Sequence, residues 1–208
     1  MSDNKNKIEE QSIKVILVGD SGVGKSSLIL GTQGIPFNEG TQLSTVACSM
    51  VRLDITISDI KYQIDLWDTI GQENFHSLTK MFMKNSKVVI FVFDITNKSS
   101  FDGLNYWIKT IEEELGTDII KGICANKQDL IDDQKVDDET LENFAASKGL
   151  EINYASALTP NLFKQFLQKL VVKYLEKNKK IIPQNNETNI KVKIEKSKNH
   201  KVKKRKFC

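Results

Sequence analysis

Cysteine is scarce, arginine scarcer, and no long apolar run exists. Cys48, Cys124 and Cys208 share neither close spacing nor an even count, which argues against a disulfide framework or a zinc site and fits a reducing compartment. No uninterrupted apolar stretch approaches the roughly 18 residues that a membrane-spanning helix needs. Residues 1–11 are polar and charged, unlike a secretory signal, and Ser2 stands where a myristoylated chain has Gly. Arg52 and Arg205 are the only arginines. There is no internal repeat.

The hydrophobic fraction of 39% suffices for one buried core in 208 residues, and the charged fraction of 27% is ordinary for a water-exposed surface. The net charge of +3 conceals an uneven distribution. From Lys173 onward there are 13 basic residues against 3 glutamates; residues 1–172 hold 17 basic against 24 acidic. An acidic body thus carries a basic tail, which favours an anionic partner for that tail.

Strand-like and helix-like segments alternate. Ile13 to Val18 is a short apolar run ending at Gly19 and reads as a buried strand, with a helical stretch after Gly24. Val51 to Ser58 and Lys61 to Trp67 alternate apolar and polar residues around Ser58-Asp59, the pattern of an antiparallel hairpin. Val88 to Phe93 and Ile119 to Ala125 are two further buried strands, and amphipathic helices are expected over 101–115, 138–148 and 161–177. This alternation predicts an α/β fold with a mostly parallel sheet and helices on both faces. Beyond about Lys177 the pattern fails, and residues 178–208 read as a disordered, solvated tail.

Between the first strand and first helix stands Gly19-Asp20-Ser21-Gly22-Val23-Gly24-Lys25-Ser26, a G-x-x-x-x-G-K-[ST] loop. Its glycines let backbone N–H groups converge on a phosphate that the helix N-terminus also favours. Lys25 is placed to neutralise phosphate oxygens, and the Ser26 hydroxyl to coordinate magnesium. By itself the loop separates neither ATP from GTP nor a kinase from a switch.

Three later segments narrow the reading. In Trp67-Asp68-Thr69-Ile70-Gly71-Gln72-Glu73, the strand-end Asp68 suits a magnesium-bound water, the Gly71 N–H a γ-phosphate, and Gln72 an attacking water. In Asn126-Lys127-Gln128-Asp129, a carboxylate can accept both the N1–H and the exocyclic amine of guanine, a donor pair adenine lacks. Tyr154-Ala155-Ser156-Ala157 follows a last short strand, where backbone N–H groups reach a guanine O6.

With these four motifs in this order, residues 12 to 177 resemble the Ras superfamily of small GTPases, and within it most closely the Rab family. The resemblance implies a P-loop NTPase fold: one small GTPase domain over 12–177, a six-stranded sheet with five helices, a flexible 1–11 and a basic tail over 178–208. It implies GTP/GDP and Mg2+ as cofactors, with Asp20 to Ser27 around the phosphates. Ser26, Thr45 and Asp68 become the metal set; Lys25, Thr45, Gly71 and Gln72 serve hydrolysis. Phe37, twelve residues after Lys25, stacks on the base, which Asn126, Lys127, Asp129, Ser156, Ala157 and Leu158 also contact. The implied partners are an exchange factor, a GTPase-activating protein and effectors, through a patch of Met50, Trp67 and Phe82. A monomer working in vesicle trafficking at the cytosolic face of a membrane is expected.

Several positions depart from the family. Ile70 replaces Ala beside the γ-phosphate, and about 1 Å of displacement there can cost roughly a hundredfold in rate. A guanine-nucleotide scaffold with impaired hydrolysis is therefore the alternative to an active switch. Met50 replaces Phe and softens the effector patch. One extra residue lies between Phe37 and Thr45, and Leu158 stands in place of Lys. Without an arginine finger of its own, hydrolysis is expected to be slow, rising by about 10³–10⁵ with a partner's arginine. At the tail, Lys201 to Lys206 precede Phe207-Cys208, so a lipidated Cys208 beside a basic run would give the two signals of stable anchoring, although C-a-a-X is absent. The lysines also fit a nuclear-localisation patch, as in a nuclear transport-type GTPase. No aromatic ladder interleaves with them, so nucleic acid is not expected.

Overall fold

The run Ile13–Val18 (β1) has five of its six residues buried, as a strand covered on both faces must. The computed structural model describes residues 12–38, 49–57, 59–69, 81–178 and 194–196, with the backbone alone of the last segment. β1 pairs in parallel with Ile60–Asp68 (β3) on one side and Val88–Asp94 (β4) on the other. Ile120–Asn126 (β5) and Glu151–Tyr154 (β6) extend the sheet in parallel beyond β4. Ser49–Ile57 (β2) runs antiparallel to β3, giving the expected hairpin across Asp59, which turns at φ 63°.

Period-two alternation sorts the core onto two faces. Ile13, Val15 and Leu17 of β1 and Val88, Ile90 and Val92 of β4 pack with Leu28 and Ile29 of α1 (Lys25–Thr32) and with Phe163, Phe166 and Leu170 of a C-terminal helix (Pro160–Lys177). The intervening Ile16, Val18, Val89, Phe91 and Phe93 face the other way. There they meet Phe101 of α2 (Lys98–Asp102), Trp107 and Ile111 of α3 (Leu104–Leu115), and Leu141 of α4 (Asp138–Lys148). The helix over 160–177 is α5. Each fully buried large side chain contributes about 1.5–3 kcal/mol, so the two faces together hold the sheet.

The strand order is β6-β5-β4-β1-β3-β2, with a seventh strand beyond it, Ile194–Lys196 (β7), antiparallel to β2. The six-stranded domain sheet matches expectation; β7 lies within 178–208, the segment read as a disordered, solvated tail. β2 is otherwise an edge whose N–H and C=O groups seek a strand, and Ile190-Lys-Val-Lys-Ile-Glu-Lys196 alternates apolar and charged residues. The helix expected over 101–115 is two helices meeting at Gly103, and it begins earlier because Asn97 caps α2 by accepting from the N–H groups of Ser99 and Ser100. A 3₁₀ helix, Gln128–Asp133, was not anticipated. No helix among the described residues is long and apolar enough to cross a membrane.

Candidate functional site

β1 lies between β3 and β4 in the sheet, and the crevice at the carboxyl ends of these strands is where doubly wound sheets take ligands. The loop 19–24 occupies that place. Gly24 has φ 94°, in the left-handed region, and a Cβ there would lie 2.4 Å from Asn126 Nδ2. A Cβ on Gly19 would lie 2.1 Å from the Val92 carbonyl oxygen. Both glycines therefore allow backbone to press against the ends of β4 and β5.

Lys25, only 6% exposed, donates from Nζ to the carbonyl oxygens of Gly19 and Asp20, each at 2.7 Å. Burial pushes its pKa down to about 8, against the pull of the Asp68 and Asp20 carboxylates. A buried ammonium held mainly by carbonyls is ready for a stronger anion. Ser26 Oγ donates to Asp68 Oδ2 at 2.5 Å, so α1's first turn meets the end of β3. Thr69 Oγ1 then donates to the Leu17 carbonyl at 2.6 Å, fixing the chain as it leaves β3.

Beside this loop a cavity of about 280 Å³ is lined by Ser27 and Phe37 and by residues following β5 and β6. Asn126, 2% exposed, donates from Nδ2 to the Val23 carbonyl at 2.7 Å, while its Oδ1 is buried with no hydrogen-bond partner. Lys127 adopts φ 65°, strained for a non-glycine residue, and its ammonium pairs with Asp94 Oδ2 at 2.5 Å. Ser156 Oγ donates to Asp129 Oδ1 and accepts from the Leu158 N–H at 3.0 Å. Ala157, Leu158 and Leu130 complete the wall, with Leu158 58% exposed at the rim. A second groove, of about 540 Å³, lies at the opposite end of the sheet between the start of β4 and the ends of α3 and α5, far from the glycine loop.

The structure thus brings together Asp20, Ser21, Gly22, Val23, Gly24, Lys25, Ser26, Ser27, Phe37, Asp68, Asn126, Lys127, Asp129, Ser156, Ala157 and Leu158 around one crevice. Thr45, Ile70, Gly71, Gln72 and Cys208 lie outside the described residues. Met50 sits opposite Trp67 in the β2–β3 register, and the Trp67 and Phe82 rings are 5.7 Å apart, so that patch is contiguous. Arg52 is committed to Asp65, at 2.7 and 3.1 Å, away from the crevice. Sequence reasoning missed Asp94, one residue past the strand read over 88–93, and Trp107, within the helix read over 101–115.

Comparison with known proteins agrees with this geometry. The Ras family model matches residues 14–176. The chain belongs to the Ras family. It is 32% identical to Ras-related protein RABF2b of Arabidopsis thaliana over 76% of this chain and 78% of that protein. Bovine Ras-related protein Rab-8B is 35% identical over 73% of this chain and 72% of its own length. Mouse Ras-related protein Rab-26 is 36% identical over 71% of this chain, which spans 57% of that relative. This Ras-family chain is a divergent, Rab-like GTPase, and the non-hydrolysing scaffold is the less favoured reading.

Proposed function

We propose that this chain is a Rab-like switch that binds GTP and GDP with magnesium, hydrolyses GTP slowly, and works as a monomer in vesicle trafficking at the cytosolic face of a membrane. The observation that carries it is the Asn126–Val23 hydrogen bond, which ties the base cavity to the phosphate loop in one rigid site. Asn126 Oδ1, buried and without a partner, fits a base that supplies a donor nearby. The glycine cradle and the buried Lys25 fit polyphosphate, and Ser26 with Asp68 offers the hard oxygen donors magnesium takes.

In this reading Asp129 accepts from the guanine edge, the Ala157 and Leu158 amides face O6, and Phe37 covers the ring. Lys25 and the loop N–H groups hold the β- and γ-phosphates in place; Ser26, Asp68 and Thr45 would hold magnesium, which neutralises phosphate charge when bound. Gly71 donates to the γ-phosphate, and Gln72 orients water for in-line attack. Residues 12–177 form the nucleotide domain after a short 1–11 segment. The basic tail with Cys208 contacts an anionic membrane, and Met50, Trp67 and Phe82 meet regulators and effectors. The test is single-turnover hydrolysis of GTP with magnesium, in parent and Ile70→Ala. A slow, Gln72-dependent rate in the parent is expected. No phosphate from the parent with release restored in Ile70→Ala would replace the switch by a nucleotide-locked scaffold.

A further inference from the structure

The phosphate loop carries a hazard of its own: Asp20, a carboxylate, follows directly on Gly19 in a cradle meant for anions. Its side chain does not turn into the cradle. Asp20 Oδ1 accepts a hydrogen bond from Trp107 Nε1 at 2.8 Å, from a residue on α3 distant in sequence. Trp107 is itself 3% exposed, belongs to the core cluster that includes Ile16, Phe93 and Ile111, and has the Tyr106 ring 5.4 Å away, so the indole N–H is held in place by core packing. Gly103, at the α2–α3 junction, receives the other side of the carboxylate. A Cβ built there would lie 2.9 Å from Asp20 Oδ2 and 3.2 Å from Oδ1. Gly103 has an ordinary helical φ of −62°, so the glycine is needed for space, not for backbone freedom.

From this geometry we propose that Trp107 and Gly103 are positioning residues that hold the Asp20 carboxylate on the α3 side of the phosphate loop, away from the phosphates. The backbone of the same residue faces the other way: the Asp20 carbonyl accepts from Lys25 Nζ at 2.7 Å. Asp20 is thereby clamped at both ends, and the loop is shaped by α3 as well as by α1. Released, the carboxylate would place a like charge beside the phosphates and compete for the Lys25 ammonium. The inference rests on the nucleotide reading above for its effect on affinity, but not for the clamp itself.

The experiment compares full-length parent, Trp107→Phe, Asp20→Ala and the double variant. Trp107→Phe keeps the ring and removes only the N–H. Titration with a fluorescent GDP analogue is expected to show about tenfold weaker binding in Trp107→Phe, in line with the loss of one charge-assisted hydrogen bond. In the Asp20→Ala background the same substitution should change affinity by less than about twofold. Gly103→Ala should repeat the pattern, weakening binding only when Asp20 is present. Equal affinities of parent and Trp107→Phe would overturn the proposal. So would a loss in Trp107→Phe that persists in the double variant, because the indole would then act through packing. Amide exchange across residues 19–25 without nucleotide supplies a readout that survives even if the parent binds no guanine nucleotide. Faster exchange in Trp107→Phe is expected, and an unchanged rate sinks the clamp independently.

Discussion

At the scale of single residues, two positions test the proposed site. Asp129 supplies the only carboxylate among the described residues on the wall of the base cavity, and Ser156 holds it by a hydrogen bond. Asp129→Asn replaces an acceptor by a donor facing the guanine N1–H, and leaves both polar groups badly paired. GDP affinity measured by calorimetry should fall by at least about a hundredfold, with no change in far-UV dichroism, because the site lies at the surface end of β5. Gly24 tests the cradle in a different way. Its φ of 94° and the 2.4 Å approach of Asn126 Nδ2 leave no room for a methyl group. Gly24→Ala should cost about 1–3 kcal/mol in the denaturant midpoint of the nucleotide-free protein, and should break the Asn126–Val23 link. An unchanged midpoint would mean that the loop is free to move away.

At the scale of elements, α5 and β6 are joined through Glu151. Lys169 pairs with its Oε2 at 3.0 Å, and Lys173 with its Oε1. Burial alone would raise the Glu151 pKa, but the hydrogen bonds and charges of the two lysines outweigh it and hold the carboxyl below its usual value. The sign follows from linkage. Because the folded pKa lies below the unfolded one, the contribution is complete above the ordinary glutamate value and is lost as pH falls through the lower folded value. Both groups are partly solvated, so the loss is small. Melting curves for Glu151→Gln against parent should differ at pH 7 and converge at pH 3. A gap that persists in acid would assign the effect to packing. β7 allows a separate measurement: removal of residues beyond Asn178 should expose the Leu53–Ile55 segment of β2 to faster amide exchange, since Ile194–Lys196 is its outer neighbour.

At the scale of the whole molecule, ligand and fold are one equilibrium. α1 begins, and β3, β4 and β5 end, at the crevice, so a nucleotide that spans loop and base cavity would cross-link both halves of the sheet. Saturation at about a hundred times Kd should add about 2.7 kcal/mol, and hence several degrees to the melting temperature of a domain this size. GDP with magnesium should give that shift, ADP should give none, and chelation of magnesium should reduce it. Equal shifts with ADP would remove guanine from the account. The basic tail belongs to this scale too, because residues 178–208 carry 11 basic residues beyond an acidic body, and such charge acts at long range.

Much of this was written in the chain itself. A glycine loop between an apolar strand and a helix, and an Asn-Lys-x-Asp after another strand, are local patterns with local causes, so the sheet, the hairpin and nearly every described wall of the cavity were legible in order and spacing. The break at Gly103 was less so, because helical periodicity runs through it while the cap at Asn97 and the space needed by Asp20 do not show in periodicity. What tertiary structure alone decided are the pairings that bring distant residues together: Trp107 to Asp20, Lys127 to Asp94, Asn126 to Val23, and the tail strand to β2. Each depends on where a sheet places the ends of its strands. Sequence spacing can announce a group that seeks a partner, but only the folded chain, by excluding water from both, selects which partner it meets.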